Sequence, residues 1–462
     1  MSKASERDLP WWKGLTRYHW FVFSMATLAW FFDCLDQQLF ILARNSAMQS
    51  LLPPGVDAGQ YGTYATAIFM IGWAIGGMVF GSMGDRIGRA RTLTLTVLLY
   101  SVFTGLSALS TGWIDFAIYR LITGLGVGGV FGLAVALVAD TVPDRSRSGA
   151  LGTLQTSSAL GNIVAGLISM WVGGLVTAKT IPPEWAWKLM FLLGALPAFL
   201  CVVLQLRLSE PEKWVKARAA GRAAGLRFGS YAVLFGEARW RRAALFGMLL
   251  SVAGVMGLWG IGFFSPELVG PVIERSLRAQ GLPEAEISGA RATWVGINSI
   301  VQNFGGVIGM QLMIQLVQRI GRRPAFVIAF LLALIATVAF FQCFDGKEDL
   351  WMSFFMGATQ LSLFAGFAIY LPELFPMRLR STGTSFCYNV GRLFAAVGIL
   401  QSASIKTWVG GDASSPEAKM DAFRDAASCM SAIFVLGIVA LLFLPETKGR
   451  PLPEDVVEVP PR

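Results

Sequence analysis

The chain has 462 residues, of which 54% are hydrophobic and 15% charged, with a net charge of +9. A soluble domain of this size carries about a quarter charged residues, so a water-soluble core is excluded. In a membrane protein the placement of basic residues matters more than their sum, and the excess does not point to nucleic acid.

Apolar stretches of about 18 residues or more cross a bilayer as helices. Such stretches lie at roughly 21–43, 61–81, 91–111, 114–138, 149–175, 187–208, 243–266, 292–317, 323–344, 350–372, 382–405 and 423–444. The predicted fold is all-α and integral to the membrane, with twelve transmembrane helices. The first stretch is too long for a signal-peptide core and serves as a span. Many stretches end near aromatics, among them Trp11, Trp12, Trp113, Trp185, Trp187, Trp240, Trp351 and Trp408, as expected at a lipid–water boundary. His19 is expected to be an interfacial anchor.

With the N-terminus inside, the inner loops carry Arg86, Arg89 and Arg91, then Arg145 and Arg147, then the basic 209–242 segment, then Arg319, Arg322 and Arg323, then Arg378 and Arg380. The short outer loops at 111–113 and 345–349 offer only Lys347, and the 267–291 loop mixes signs. This distribution predicts a multi-pass protein of the cell membrane with both termini cytoplasmic. The five cysteines form no C-x-x-C, which implies helix packing and neither disulfides nor a metal site.

The sequence repeats itself. Arg86-Ile-Gly-Arg89 returns as Arg319-Ile-Gly-Arg322, 233 positions later. Asp140-x-x-Pro143-x-Arg145-x-Arg147-Ser148 returns as Glu373-x-x-Pro376-x-Arg378-x-Arg380-Ser381 at the same offset, and Gly72 and Gly76 match Gly305 and Gly309. An offset of six helices preserves orientation, so the halves are parallel repeats around a central site. Residues 1–208 form one six-helix bundle, 209–242 a cytoplasmic linker loop, and 243–462 the second bundle with a short tail.

Intramembrane charges need a partner or a task. Asp33 and Asp36 are three apart and expected to share a helix face. Two close carboxylates resist joint ionisation, which suits a reversible proton carrier; the alternative is an acid held in a structural ion pair. Arg120 cannot give up its proton and needs a counter-anion, for which Asp36 is the expected partner. Arg392 is suited to grip a carboxylate with its planar fork, or else to bond helix-end carbonyls. Gln155, Asn162, Asn298, Gln302, Asn303, Trp259 and Tyr388 are candidates for a central cavity, or for helix–helix hydrogen bonds.

Gly81-x-x-Gly84-Asp85-Arg86-x-Gly88-Arg89-x-Arg91 resembles the signature loop between helices 2 and 3 of the major facilitator superfamily. Arg120-x-x-x-Gly124-x-Gly126-x-Gly128 resembles its helix 4 motif, and Pro372-Glu373-x-x-Pro376-x-Arg378-x-Arg380 and Pro445-Glu-Thr-Lys-Gly449 resemble segments of sugar porters. The resemblance implies the major facilitator fold and a cytoplasmic gate made by Gly81, Asp85, Arg86, Gly88, Arg89, Asp140, Glu373 and Arg378. In that gate Asp85 is expected at the N-terminus of helix 11, and Arg89 beside Asp140. Phe32-Asp33-Cys34-Leu35-Asp36 resembles the helix 1 signature of aromatic-acid:proton symporters, though Cys34-Leu35 departs from it. Helix 7, Leu249-Leu-Ser-Val-Ala-Gly254, lacks the Gln-Gln pair of sugar porters.

The leading expectation is proton-coupled symport of a small organic anion, aromatic or otherwise carboxylic, with the proton gradient as driving force and no cofactor. Asp33 and Asp36 would couple the proton. Arg120, Arg392, Gln155, Gln302, Asn298, Trp259 and Tyr388 would bind substrate. A sugar or polyol porter is the alternative within transport, and a non-transporting nutrient sensor lies outside it. No nucleophile–base set or metal-ligand spacing marks an enzyme.

Overall fold

The computed structural model describes residues 10–262, 265–281, 283–400 and 415–454. Trp408 and the last residues of the 382–405 stretch lie outside them.

Six long helices form the first half: α1 (Arg17–Leu51), α2 (Ala58–Ile87), α3 (Arg89–Ser107), α4 (Trp113–Thr141), α5 (Asp144–Thr177) and α6 (Pro183–Gln205). Local signals set their ends. Thr16 accepts from the His19 amide at 3.2 Å while His19 Nδ1 accepts from the Thr16 amide at 3.3 Å, so His19 completes a reciprocal N-cap. Asp57 accepts from the amides of Gly59 and Gln60. The linker is not a plain loop: it contains α7 (Glu212–Ala223) and α8 (Tyr231–Gly236).

The second half begins with α9 (Ala238–Val255), which runs into a π-helical turn at Met256–Ile261. It continues with α10 (Ser265–Ala279), α11 (Glu284–Ile320), α12 (Arg322–Cys343), α13 (Leu350–Tyr370), α14 (Arg380–Leu400), α15 (Pro416–Met430) and α16 (Ile433–Leu441). The 267–291 segment, expected as a loop, is thus mostly helical, because α10 buries Leu268, Val269, Val272 and Ile273. The last expected span is two helices, α15 and α16, separated by a turn at Ser431 and Ala432.

Among the described residues, nine helical stretches are long and apolar enough to cross a membrane. The helices α1, α3 and α14 carry more polar residues but pack inside the same bundle, which completes the twelve-helix arrangement. On α6 the side chains of Leu196, Leu200 and Val203 point away from the protein, as lipid-facing groups do. Cys34, Cys201 and Cys387 are buried, whereas Cys343 and Cys429 are exposed and play no part in buried packing; all five are free thiols.

The duplication read from the sequence is also a duplication of packing. A Cβ added at Gly72 would strike the carbonyl of Leu121, and one at Gly76 that of Leu125. In the second half, Gly305 faces the carbonyl of Phe354 and Gly309 that of Ala358. All four pairs stand 233 positions apart, so α2 on α4 and α11 on α13 share one register. Lipid tails are as apolar as leucine, so membrane helices associate through close backbone approach more than through burial. The halves meet where α2 and α4 pack on α14, and α5 on α11 and α13.

Replacing Gly76 or Gly309 by alanine should cost about 1–3 kcal/mol, the usual range for overpacking. Gly174→Ala has nothing within 4 Å to meet and should change stability by no more than about 0.5 kcal/mol. Thermal unfolding in detergent checks this, and equal midpoints for Gly76→Ala and Gly174→Ala would remove close approach as the organising contact.

Candidate functional site

The central cluster is built on α14. Arg392 is 1% exposed, deep in the bundle. Its guanidinium carbon lies 3.7 Å from the ring centroid of Trp73 on α2 and 4.3 Å from that of Tyr388. Aromatic rings thus engage the cation by cation–π attraction. Nη1 donates to the Tyr388 carbonyl at 2.9 Å and to Asn389 Oδ1 at 3.3 Å, whereas Nε has no hydrogen-bond partner among the described residues. Tyr388 is held by stacking on Phe131 of α4 at 3.7 Å. Trp259, on the π-helical turn, meets Trp73 edge-on at 5.9 Å across the two halves.

Asp33 is fully buried within electrostatic reach of Arg392, without a direct ion pair. Gln37 Nε2 donates to Asp33 Oδ2 at 3.3 Å, and Oδ1 has no hydrogen-bond partner among the described residues. Asp33 and Asp36 stand within electrostatic reach of each other, as their spacing leads one to expect, but they point to different neighbours. At 100° per residue, positions three apart diverge by about 60°, and the second acid turns into the first half. A Cβ built on Gly194 of α6 would lie 3.4 Å from Asp36 Oδ1.

Asp36 is the charge that acts on Arg120, as expected, but without a direct ion pair. Arg120 donates to Ser107 Oγ at 3.0 and 2.8 Å, to Thr104 Oγ1 at 3.3 Å and to Thr123 Oγ1 at 3.0 Å. Its guanidinium also sits over Phe191 at 4.8 Å and Phe40 at 5.4 Å. Hydroxyls and ring faces therefore solvate this cation inside the first half, with the Asp36 charge acting at longer range. Arg120 thus belongs to the interior of that bundle and not to the Arg392 cluster.

The remaining polar candidates divide. Asn162 donates to Asn303 Oδ1 at 3.0 Å, joining α5 to α11 across the halves. Gln155 donates to Ser158 Oγ at 3.2 Å, and its Oε1 is unpartnered. Asn298 accepts from Ser353 at 2.5 Å, a tie between α11 and α13 inside one half and not a ligand converging on Arg392. Gln302 lies beside Gly262, just beyond the π-helical turn.

A second cluster closes the end of the bundle that carries the basic loops. Asp85 accepts from the Ser381 amide at 3.2 Å and from the Thr382 amide and hydroxyl at 2.8 and 2.7 Å. One carboxylate thereby caps the positive end of α14 from the other half. Arg89 lies 3.0 Å from Asp85 and 3.3 Å from Asp140, and donates to the Met377 carbonyl at 2.6 Å. Arg380 also pairs with Asp140, across the halves. In the mirror position Arg322 grips Glu373 with two hydrogen bonds of 2.9 and 2.7 Å and reaches Ser148 at 2.9 Å. Gly81 admits α14, since a Cβ there would collide with Ser385. Arg86 and Arg378 turn to the linker instead: Arg86 donates to the Gly229 carbonyl at 3.2 Å, and Arg378 pairs with Glu237 at 2.7 Å.

Two glutamates that sequence reasoning did not place brace this end. Gly88 has φ +126° and Gly321 φ +103°, left-handed values at which each chain turns sharply between helices. After the first turn, Glu210 accepts from the amides of Arg89, Ala90 and Arg91 at 2.8–3.3 Å. After the second, Glu446 accepts from those of Arg322 and Arg323 at 3.0 and 2.9 Å. Burial pushes the Glu446 carboxyl up, but these amides with those of Lys448 and Thr447 outweigh it and hold it below the usual carboxylate range. The two acids stand 236 positions apart, three off the repeat, which hides their equivalence.

The family model of the Major Facilitator Superfamily matches residues 26–399. The cis,cis-muconate transport protein of Acinetobacter baylyi is 27% identical over 435 residues, covering 93% of this chain and 95% of the relative. The gentisate transporter of Corynebacterium glutamicum is 24% identical over 390 residues, covering 82% and 80%. Among solved structures, the proton:xylose symporter XylE bound to 6-bromo-6-deoxy-D-glucose shares the fold with a TM-score of 0.71 at 18% identity, covering 94% of this chain and 98% of that one. With its repeated packing and its match over most of the length, this chain belongs to the Major Facilitator Superfamily and is a membrane transporter, not an enzyme.

Proposed function

We propose that the protein is a proton-coupled symporter of small organic anions, working by alternating access in the cell membrane with both termini cytoplasmic. The observation that carries this reading is that Arg392 Nε has no hydrogen-bond partner among the described residues while Asp33, within electrostatic reach, has an oxygen in the same state. Rings cover the guanidinium, so an anion approaches in the plane, along the edge that suits a carboxylate. The relatives named for cis,cis-muconate and gentisate transport support an organic acid as substrate.

The coupling follows from charge. In the empty site Arg392 and Asp33 balance each other. A carboxylate arriving at Arg392 leaves Asp33 as an uncompensated buried anion, which costs several kcal/mol. Protonation of Asp33 restores neutrality, so anion and proton travel together. The basic end is cytoplasmic by the excess of arginine in its loops. There the Asp85 cap and the Arg380–Asp140 and Arg322–Ser148 contacts act as the gate closed while the site faces outward.

Arg392→Gln should raise the apparent dissociation constant for carboxylates about ten- to hundredfold, since a charge-assisted hydrogen bond contributes roughly 1.5–3 kcal/mol. Arg392→Lys should not fully rescue, because a point charge lacks the fork. Competition of labelled acid uptake by acids and hexoses checks both, and competition by hexoses alone in the wild type would put a sugar porter in place of this reading.

Asp33→Asn should abolish accumulation driven by a pH gradient yet retain exchange of internal for external substrate. Proteoliposomes with and without the gradient check this; concentrative uptake by the variant would assign the proton elsewhere. Asp85→Asn should loosen the cytoplasmic lock and raise labelling of cysteines introduced at the cytoplasmic mouth. Unchanged labelling would reduce the Asp85 contacts to helix capping.

A further inference from the structure

A cleft of about 550 Å³ opens at the basic end, between the end of α2 and the linker helix α7, away from the transport site. Arg91, Arg218 and Arg222 converge on it, with Leu208 and Val215 on its apolar wall. None of the three arginines forms an ion pair among the described residues. The one acid in the wall, Glu210, spends both oxygens on the amides that open α3. Burial, with the like charges of Arg222 and Arg91, holds the Arg218 guanidinium below its usual value.

The indole of Trp214 backs the cleft. It is 3% exposed, yet its Nε1–H has no hydrogen-bond partner among the described residues. Three guanidinium groups without an ion pair among the described residues make a receptor for a phosphate. The apolar wall lies where α2 and α6 leave the membrane, which suits a phosphate carrying acyl chains better than a free ion.

We propose that the cleft binds the phosphate headgroup of an anionic phospholipid of the cytoplasmic leaflet, through Arg91, Arg218 and Arg222. The site is joined to the gate. Trp214 lies 4.9 Å from the Arg218 guanidinium and 5.4 Å from that of Arg89, which pairs with Asp85 and Asp140. A lipid seated there holds Trp214 against Arg89 and favours the closed gate.

The test is a thermal-shift titration of the full chain in uncharged detergent with short-chain phosphatidylglycerol, phosphatidylcholine or inorganic phosphate. Phosphatidylglycerol should raise the midpoint of the wild type saturably, and the other two should not. Arg218→Gln with Arg222→Gln should weaken its apparent affinity about twenty-fivefold, at about fivefold per basic residue near an anionic headgroup. The arginine-to-lysine pair should keep most of the affinity and so reports on folding and charge together. Lys213→Gln with Lys216→Gln removes two linker charges outside the cleft and should leave the titration unchanged. An equal loss in that pair would mean diffuse surface attraction and overturn the proposal. An equal shift with inorganic phosphate would overturn the lipid assignment, as would no shift with phosphatidylglycerol.

Discussion

A charge inside a membrane protein must be balanced by another charge or solvated by polar groups, and this constraint organises the whole molecule. Arg120 meets it with three hydroxyl side chains and ring faces, and that arrangement keeps it within one half. Arg392 meets it only in part: two acceptors on its own helix, two aromatic rings, and one nitrogen without a partner among the described residues. A site left incomplete among its own residues can be completed by a ligand. In this account the substrate carboxylate supplies the missing partner, and the proton on Asp33 keeps the sum of charges constant.

The same constraint acts at the basic end, where the halves answer it unequally. Asp85 caps α14 from the opposite half, whereas the mirrored position carries Gln318, exposed and without a carboxylate. Arg322 reaches Ser148 in its place. Asp140 collects both Arg89 and Arg380, while its counterpart Glu373 collects Arg322 and the hydroxyl of Thr447. The repeat supplies the scaffold, and its departures supply bonds between halves that can be made and broken one side at a time. Trp214 of the linker lies against Arg89, so the segment joining the halves also touches the ion pairs at this end.

Much of this was legible in the residues. The 233-position offset carried through to paired glycines facing paired carbonyls, because close helix approach demands glycine at fixed places. The contacts of Asp85 with Ser381 and Thr382, and of Arg89 with Asp140, sit where the motifs point. Other features were not legible, for physical reasons. Spacing places Asp33 and Asp36 on neighbouring faces of α1, but it does not say that different cations lie beyond each. Which acceptors Arg120 prefers depends on Ser107, Thr104 and Thr123, three ordinary hydroxyls without a motif. The π-helical turn that carries Trp259 includes Gly257, packed so closely on Phe434 that a Cβ would strike it, and no local pattern announces the turn. Glu210 escaped because its place slips three residues from the repeat.

Symport of this kind rests on an exchange of partners at Arg392 that takes up a proton. Proton uptake on binding measures it most directly: purified protein in weakly buffered detergent, a pH indicator, and a saturating pulse of a carboxylate substrate. Wild-type protein should take up protons as the acid binds, and Asp33→Asn should bind the acid with no uptake. Binding by the wild type without proton uptake, or uptake undiminished in Asp33→Asn, would contradict it.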